Sequence, residues 1–176
     1  VRLSPDTIPP HRTHGYRTDL PLKCFSHTHV SGTGGEGRFG NVSLAPFAGA
    51  PRLDSGLFER RGETARVGYY AVELAPAGIE VALTCSSRCG VSRFKFPGRE
   101  GNVSIDASAV HKFHPDRAAV CMAATIEWTG ERQFQGKGTF KGGWGHDHPY
   151  HVYFSGTVSR TPDQVLVSNG EALVAG

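Results

Sequence analysis

Nowhere in this chain does an apolar stripe with the period of an α-helix run for more than about ten residues. Short β-branched and aromatic runs recur instead between clusters of Gly, Pro, Asn and Asp, at 41–47, 67–74, 78–85, 91–96, 102–106, 118–128, 132–140, 150–159 and 164–168. That rhythm predicts about nine strands and excludes a helical protein. In Tyr70, Val72, Leu74 and in Ile79, Val81, Leu83 the apolar residues fall at every second position, the period of a strand with one face on a core. Ala75-Pro76-Ala77-Gly78 joins the two runs as a tight hairpin, and Ser86, Ser87 and Arg88 form the turn of a second hairpin into Val91. The expected fold class is therefore all-β, an antiparallel β-sandwich forming one domain over 1–176. The first forty residues hold Pro5, Pro9, Pro10, Gly15, Gly32, Gly34, Gly35, Gly37 and Gly40. They are expected to form a long irregular region, which a compact domain carries for a functional reason.

Charge narrows the function classes. With 19 Lys plus Arg against 16 Asp plus Glu, the net charge is +3 and the basic residues are scattered, so no field for nucleic acid or an anionic membrane is built. No run of 18 apolar residues offers a membrane-spanning helix, and Val1-Arg2 opens no signal peptide. Nucleic acid and membrane are not expected partners. Two Asn-Val-Ser tripeptides, at Asn41 and Asn102, match the N-glycosylation acceptor pattern and fit a secreted, extracellular protein. Cys24, Cys85, Cys89 and Cys121 allow three pairings; Cys85 with Cys89 across the hairpin and Cys24 with Cys121 are open alternatives to four free thiols.

The densest polar stretch is Phe25-Ser26-His27-Thr28-His29-Val30-Ser31-Gly32-Thr33-Gly34-Gly35. On an extended backbone His27 and His29 share a face, which suits chelation or paired hydrogen bonds to a ligand, and the glycines let the backbone approach that ligand closely. A zinc site would need further ligands such as His11, His14, His146 or His148; equally, one imidazole can be a buried strut while the other faces solvent. The stretch lacks the Lys-Ser/Thr ending of a nucleotide-binding loop. A second candidate runs from Gly142 to Tyr150, where Trp144 lies beside His146, Asp147 and His148; an ordinary long turn with a packing Trp reads as well. The sixteen acids form no paired glycosidase motif, and no Gly-x-Ser-x-Gly or His-Glu-x-x-His is present, so no catalytic residue is expected in this chain.

In order along the chain, several segments resemble the N-terminal region of glycoside hydrolase family 92, the exo-α-mannosidases. They are 1–7, the Cys24-to-Gly34 block with its Ser-His-Thr-His-x-Ser-Gly-Thr-Gly core, 41–46, 63–74, 79–97 and 150–154. The resemblance departs at Cys24, where Gly is expected, and at 58–62, which lacks a Ser-His before the Glu. It implies a β-sandwich of the supersandwich type preceding an (α/α)6 catalytic domain, absent here, in an inverting, calcium-dependent enzyme acting on α-mannoside glycans. The helical domain, in cis or in trans, then supplies the acid, the base and most calcium ligands, so no metal ligand is assigned in this chain. This domain contributes cleft loops, with His27, Thr28, His29, Ser31, Gly32 and Gly34 as substrate-binding residues. A stand-alone carbohydrate-binding module and a structural assembly domain are the alternatives.

Overall fold

The computed structural model describes residues 3–7, 16–27, 41–110, 119–142, 147–168 and 173–175. None of the described residues is helical. They form β1 (Leu3–Thr7), β2 (Leu22–His27), β3 (Asn41–Phe47), β4 (Glu59–Arg66), β5 (Tyr69–Ala75), β6 (Ile79–Cys85), β7 (Gly90–Lys95), β8 (Asn102–Asp106), β9 (Val120–Gly130), β10 (Gln133–Lys141), β11 (Tyr150–Thr157), β12 (Leu166–Ser168) and β13 (Leu173–Ala175). Every pairing is antiparallel. Two four-stranded sheets, β1-β2-β3-β8 and β4-β5-β6-β7, are accompanied by a three-stranded sheet, β11-β10-β9, and the short β12-β13 ribbon.

The core lies between the two four-stranded sheets. Leu22, Phe25 and Phe47 from the first meet Tyr70, Val72, Leu74, Ile79, Val81 and Leu83 from the second, with Phe58 joining them and Phe94 tilted against Phe25. The alternation read along β5 and β6 is the cause: in register Val72↔Val81 and Leu74↔Ile79, each apolar residue faces inward beside another. The other face of β1, β2 and β3 is polar and yet buried, carrying Ser4, Asp6, Ser26 and Ser43. There the Asp6 carboxylate accepts the Ser26 backbone N–H at 2.9 Å, which ties β1 to β2 and gives a buried charged group a partner.

The third sheet solves a packing problem with glycine. Gly136 and Gly138 sit in its central strand and Gly156 in β11. A Cβ at those positions would fall within about 2.3 Å of the rings of Phe154, Phe140 and Phe134, respectively. The missing side chains are the space the aromatic rings occupy. Phe140, fully buried, stacks on Tyr150 at 5.5 Å, and Trp128 stacks on Phe134 at 5.7 Å.

Two expectations are corrected. Residues 1–40 contain β1 and β2, hidden from a periodicity reading because Pro5 and the polar Ser4, Asp6, Thr7 and Ser26 sit in a pairing held by buried hydrogen bonds rather than by alternating apolar residues. The strand expected at 67–74 begins at Tyr69; Val67 is fully exposed in a turn with Gly68 at φ 75, and the preceding polar run 59–66 is β4. Of the alternatives left open for the cysteines, four free thiols is the one observed. The β6–β7 register pairs Cys85 with Gly90. Cys89 lies one residue away and therefore on the opposite face of the ribbon, so the two thiols point apart.

Candidate functional site

The histidine-bearing stretch leaves β2 at a bulge. The β2–β3 register slips between Ser26 and His27, so that His27 faces Asn41. Opposite the slip Val42 takes φ 58, a left-handed conformation that costs a β-branched residue on the order of 1–3 kcal/mol. The bulge re-aims His27 toward the rim of the sandwich, where its imidazole packs against Gly90 at the start of β7: a Cβ there would lie 2.8 Å from His27 Cε1 and 3.0 Å from Leu3 Cδ2. Burial holds the His27 imidazole below its ordinary pKa, favouring a neutral ring able both to donate and to accept a hydrogen bond.

Asn41 is the second fixed point of the rim. It is 2% exposed, and its Nδ2 donates to the Ala109 carbonyl at 3.2 Å. The Tyr150 hydroxyl stands beside it; burial pushes that phenol's pKa up, and the Asn41 side chain opposes the shift. Asn41, Ala109 and Tyr150 thus bring together the start of β3, the residues that follow β8 and the start of β11. Below the rim, Cys24 Sγ lies 3.9 Å from Asp6 Oδ2, and burial together with that carboxylate pushes the thiol's pKa far up. This cysteine is a packed side chain and not a nucleophile.

Of the sequence-predicted residues, His27 is on this rim. Thr28, His29, Ser31, Gly32 and Gly34 lie outside the described residues, as do Trp144 and His146 of the second candidate stretch. Asp147 is exposed and pairs with Lys141 at 3.5 Å. Asn41 and Tyr150 were legible only as strand ends; nothing in their spacing announced that they would meet. The Asn41 amide of the first Asn-Val-Ser tripeptide is buried and bonded to a backbone carbonyl in the folded domain. Among the described residues no group of three or more His, Cys, Asp or Glu could hold a metal ion.

A search of curated proteins returned no match. Among solved structures, the chain is similar to a family GH92 α-mannosidase from Bacteroides thetaiotaomicron, solved in complex with mannoimidazole, at 29% identity and a TM-score of 0.81. The match covers 96% of this chain and 23% of that one, so the chain spans less than a quarter of that relative. The model described as the glycosyl hydrolase family 92 N-terminal domain matches residues 1–176. From that match along its whole length, the chain belongs to the family of glycosyl hydrolase family 92 N-terminal domains.

Proposed function

We infer that the chain is the β-sandwich part of an exported α-mannosidase, which hydrolyses α-mannosidic bonds of N-glycans or mannans with inversion and with calcium. Its own role is to close the substrate cleft beside a helical catalytic domain joined in cis or associating in trans. The observation that carries this reading is the family match over residues 1–176, together with a fold shared with an α-mannosidase at a TM-score of 0.81. The rim supports it. A strained bulge at Val42, a half-buried His27 and a buried Asn41–Ala109 bond fix His27 and Asn41, the described residues on either side of 28–40, and fixed flanks suit a segment that presents hydroxyl-binding groups to a sugar.

In this reading His27, Thr28, His29, Ser31, Gly32 and Gly34 contact the sugar through hydrogen bonds and close backbone approach, and none transfers a proton. In this reading calcium is held mainly by oxygen ligands of the helical domain.

The test compares the 176-residue chain with the same chain extended through its helical domain, on an aryl α-mannoside with and without EDTA. Hydrolysis is expected only from the extended protein and only with calcium. Turnover by the 176-residue chain by itself, or EDTA-insensitive turnover by the longer one, would overturn the division of roles.

A further inference from the structure

The three-stranded sheet has two unlike faces. One carries the aromatic rings packed over glycine. On the other, the register builds a grid of polar side chains: Glu127, Gln135 and Ser155 side by side, then Thr125, Lys137 and Tyr153, then Ala123, Thr139 and His151. The first two rows line an open groove of about 540 Å³. Rows on one face of a strand repeat at roughly 6.6 Å and strands lie about 4.8 Å apart, so the groups form a regular lattice.

Its chemistry is that of a surface for neutral polyols. Tyr153, on the edge strand β11, is 70% exposed, with the His151 ring tilted against it at 6.3 Å, so much of its aromatic ring still meets solvent. Lys137 Nζ lies 5.3 Å from its ring centroid and fixes it from one side. Gln135 Nε2 donates to Glu127 Oε2 at 3.2 Å, and Thr139 Oγ1 lies 3.0 Å from His151 Nδ1. Each charged or titratable group is therefore engaged by a neighbour, and the cation and the carboxylate balance one another. The groove attracts neither a polyanion nor a polycation. What it presents is a flat apolar ring among alternating donors and acceptors, the pattern that matches a pyranose with its C–H face on one side and hydroxyls around the edge.

We propose that this face, centred on Tyr153 with Gln135, Lys137 and Glu127 around it, is a glycan-binding surface separate from the His27 rim, holding internal units of a neutral α-mannan while the chain end is processed elsewhere. The choice of mannan rests on the function proposed above. Strand pairing makes the surface rigid, so binding orders few groups and costs little entropy.

Affinity electrophoresis of the full-length protein in gels containing yeast α-mannan tests it, alongside hydrolysis of an aryl α-mannoside, which needs only the cleft. Wild-type protein is expected to be retarded. Tyr153→Ala is expected to weaken binding about tenfold and Gln135→Ala less, Tyr153→Phe to keep most of it, and all three to leave aryl mannoside hydrolysis unchanged. Retardation that survives Tyr153→Ala, or absence of retardation in an active enzyme, would overturn the proposal while leaving the function intact. Tyr153-dependent retardation without any mannosidase activity would uphold the surface and overturn the function instead.

Discussion

His27 and Gly90 touch across the open end of the sandwich: the imidazole occupies the space that a Cβ on Gly90 would need, 2.8 Å from Cε1. The contact holds His27, the first histidine of the Ser-His-Thr-His stretch, against a strand of the second sheet, so His27 itself is tied to both layers. Gly90→Ala should push the ring and the Leu3 side chain outward. The expected result is a His27 pKa that moves back up toward its ordinary value, read by NMR titration, with a stability loss of about 1 kcal/mol. An unchanged titration would mean the ring is held elsewhere.

The same burial makes stability pH-dependent. His27 has a folded pKa below its unfolded value, near 6.5, so the unfolded chain binds the proton first and stability falls as pH drops through and below that value. Above it the contribution is fully present. The slope from one such group cannot exceed about 1.4 kcal/mol per pH unit. Asp54, held low by Lys23, acts only at more acidic pH. Urea unfolding at pH 5.5, 6.5 and 7.5 should show the decline in wild type and a flatter profile in His27→Gln; equal profiles would assign the titration to another group.

Asn41→Ala removes a donor from the Ala109 carbonyl inside the rim. Leaving that acceptor and the neighbouring Tyr150 hydroxyl to a small apolar side chain is expected to cost about 1–3 kcal/mol. Asn102 also bonds a carbonyl, that of Gly49 at 2.7 Å, but at an exposed site. Asn102→Ala is therefore expected to cost under about 1 kcal/mol, and chemical denaturation of both variants checks the ranking.

Gly138→Ala would bring a Cβ 2.3 Å from the buried Phe140 ring and 2.9 Å from the Ala107 carbonyl, neither of which has free room to retreat. A loss of about 2–3 kcal/mol is expected from overpacking. Gly130→Ala, whose nearest neighbours lie at 3.8 Å, serves as the control and should be nearly neutral. Similar midpoints for the two variants would show that the third sheet is loosely packed.

Thiol chemistry should set Cys24 apart from Cys85 and Cys89. Cys85 and Cys89 are exposed on opposite faces of their ribbon, whereas Cys24 is held as a thiol by burial and the Asp6 carboxylate. Two thiols are expected to react rapidly with a disulfide reagent at pH 8 and Cys24 at least tenfold more slowly. A Cys85–Cys89 crosslink found by mass spectrometry in air-oxidised protein would contradict the register.

Local pattern was enough for the class of fold and for much of its layout. Period-two alternation in Tyr70, Val72, Leu74 and Ile79, Val81, Leu83, with a Pro-Gly turn between them, announced one hairpin of the core, because side-chain alternation and turn chemistry are properties of neighbouring residues. The Ser-His-Thr-His stretch likewise announced the family, since its residue types stand in an unbroken order. Tertiary structure decided the rest. Strands β1 and β2 exist because Asp6 meets the Ser26 amide across 20 positions of chain, Asn41 became a rim residue because Ala109 lies 68 positions further on, and the polar grid around Tyr153 exists only in the register of three strands. Such contacts depend on which distant partner each group finds, and a linear pattern carries the spacing of neighbours but not the identity of those partners.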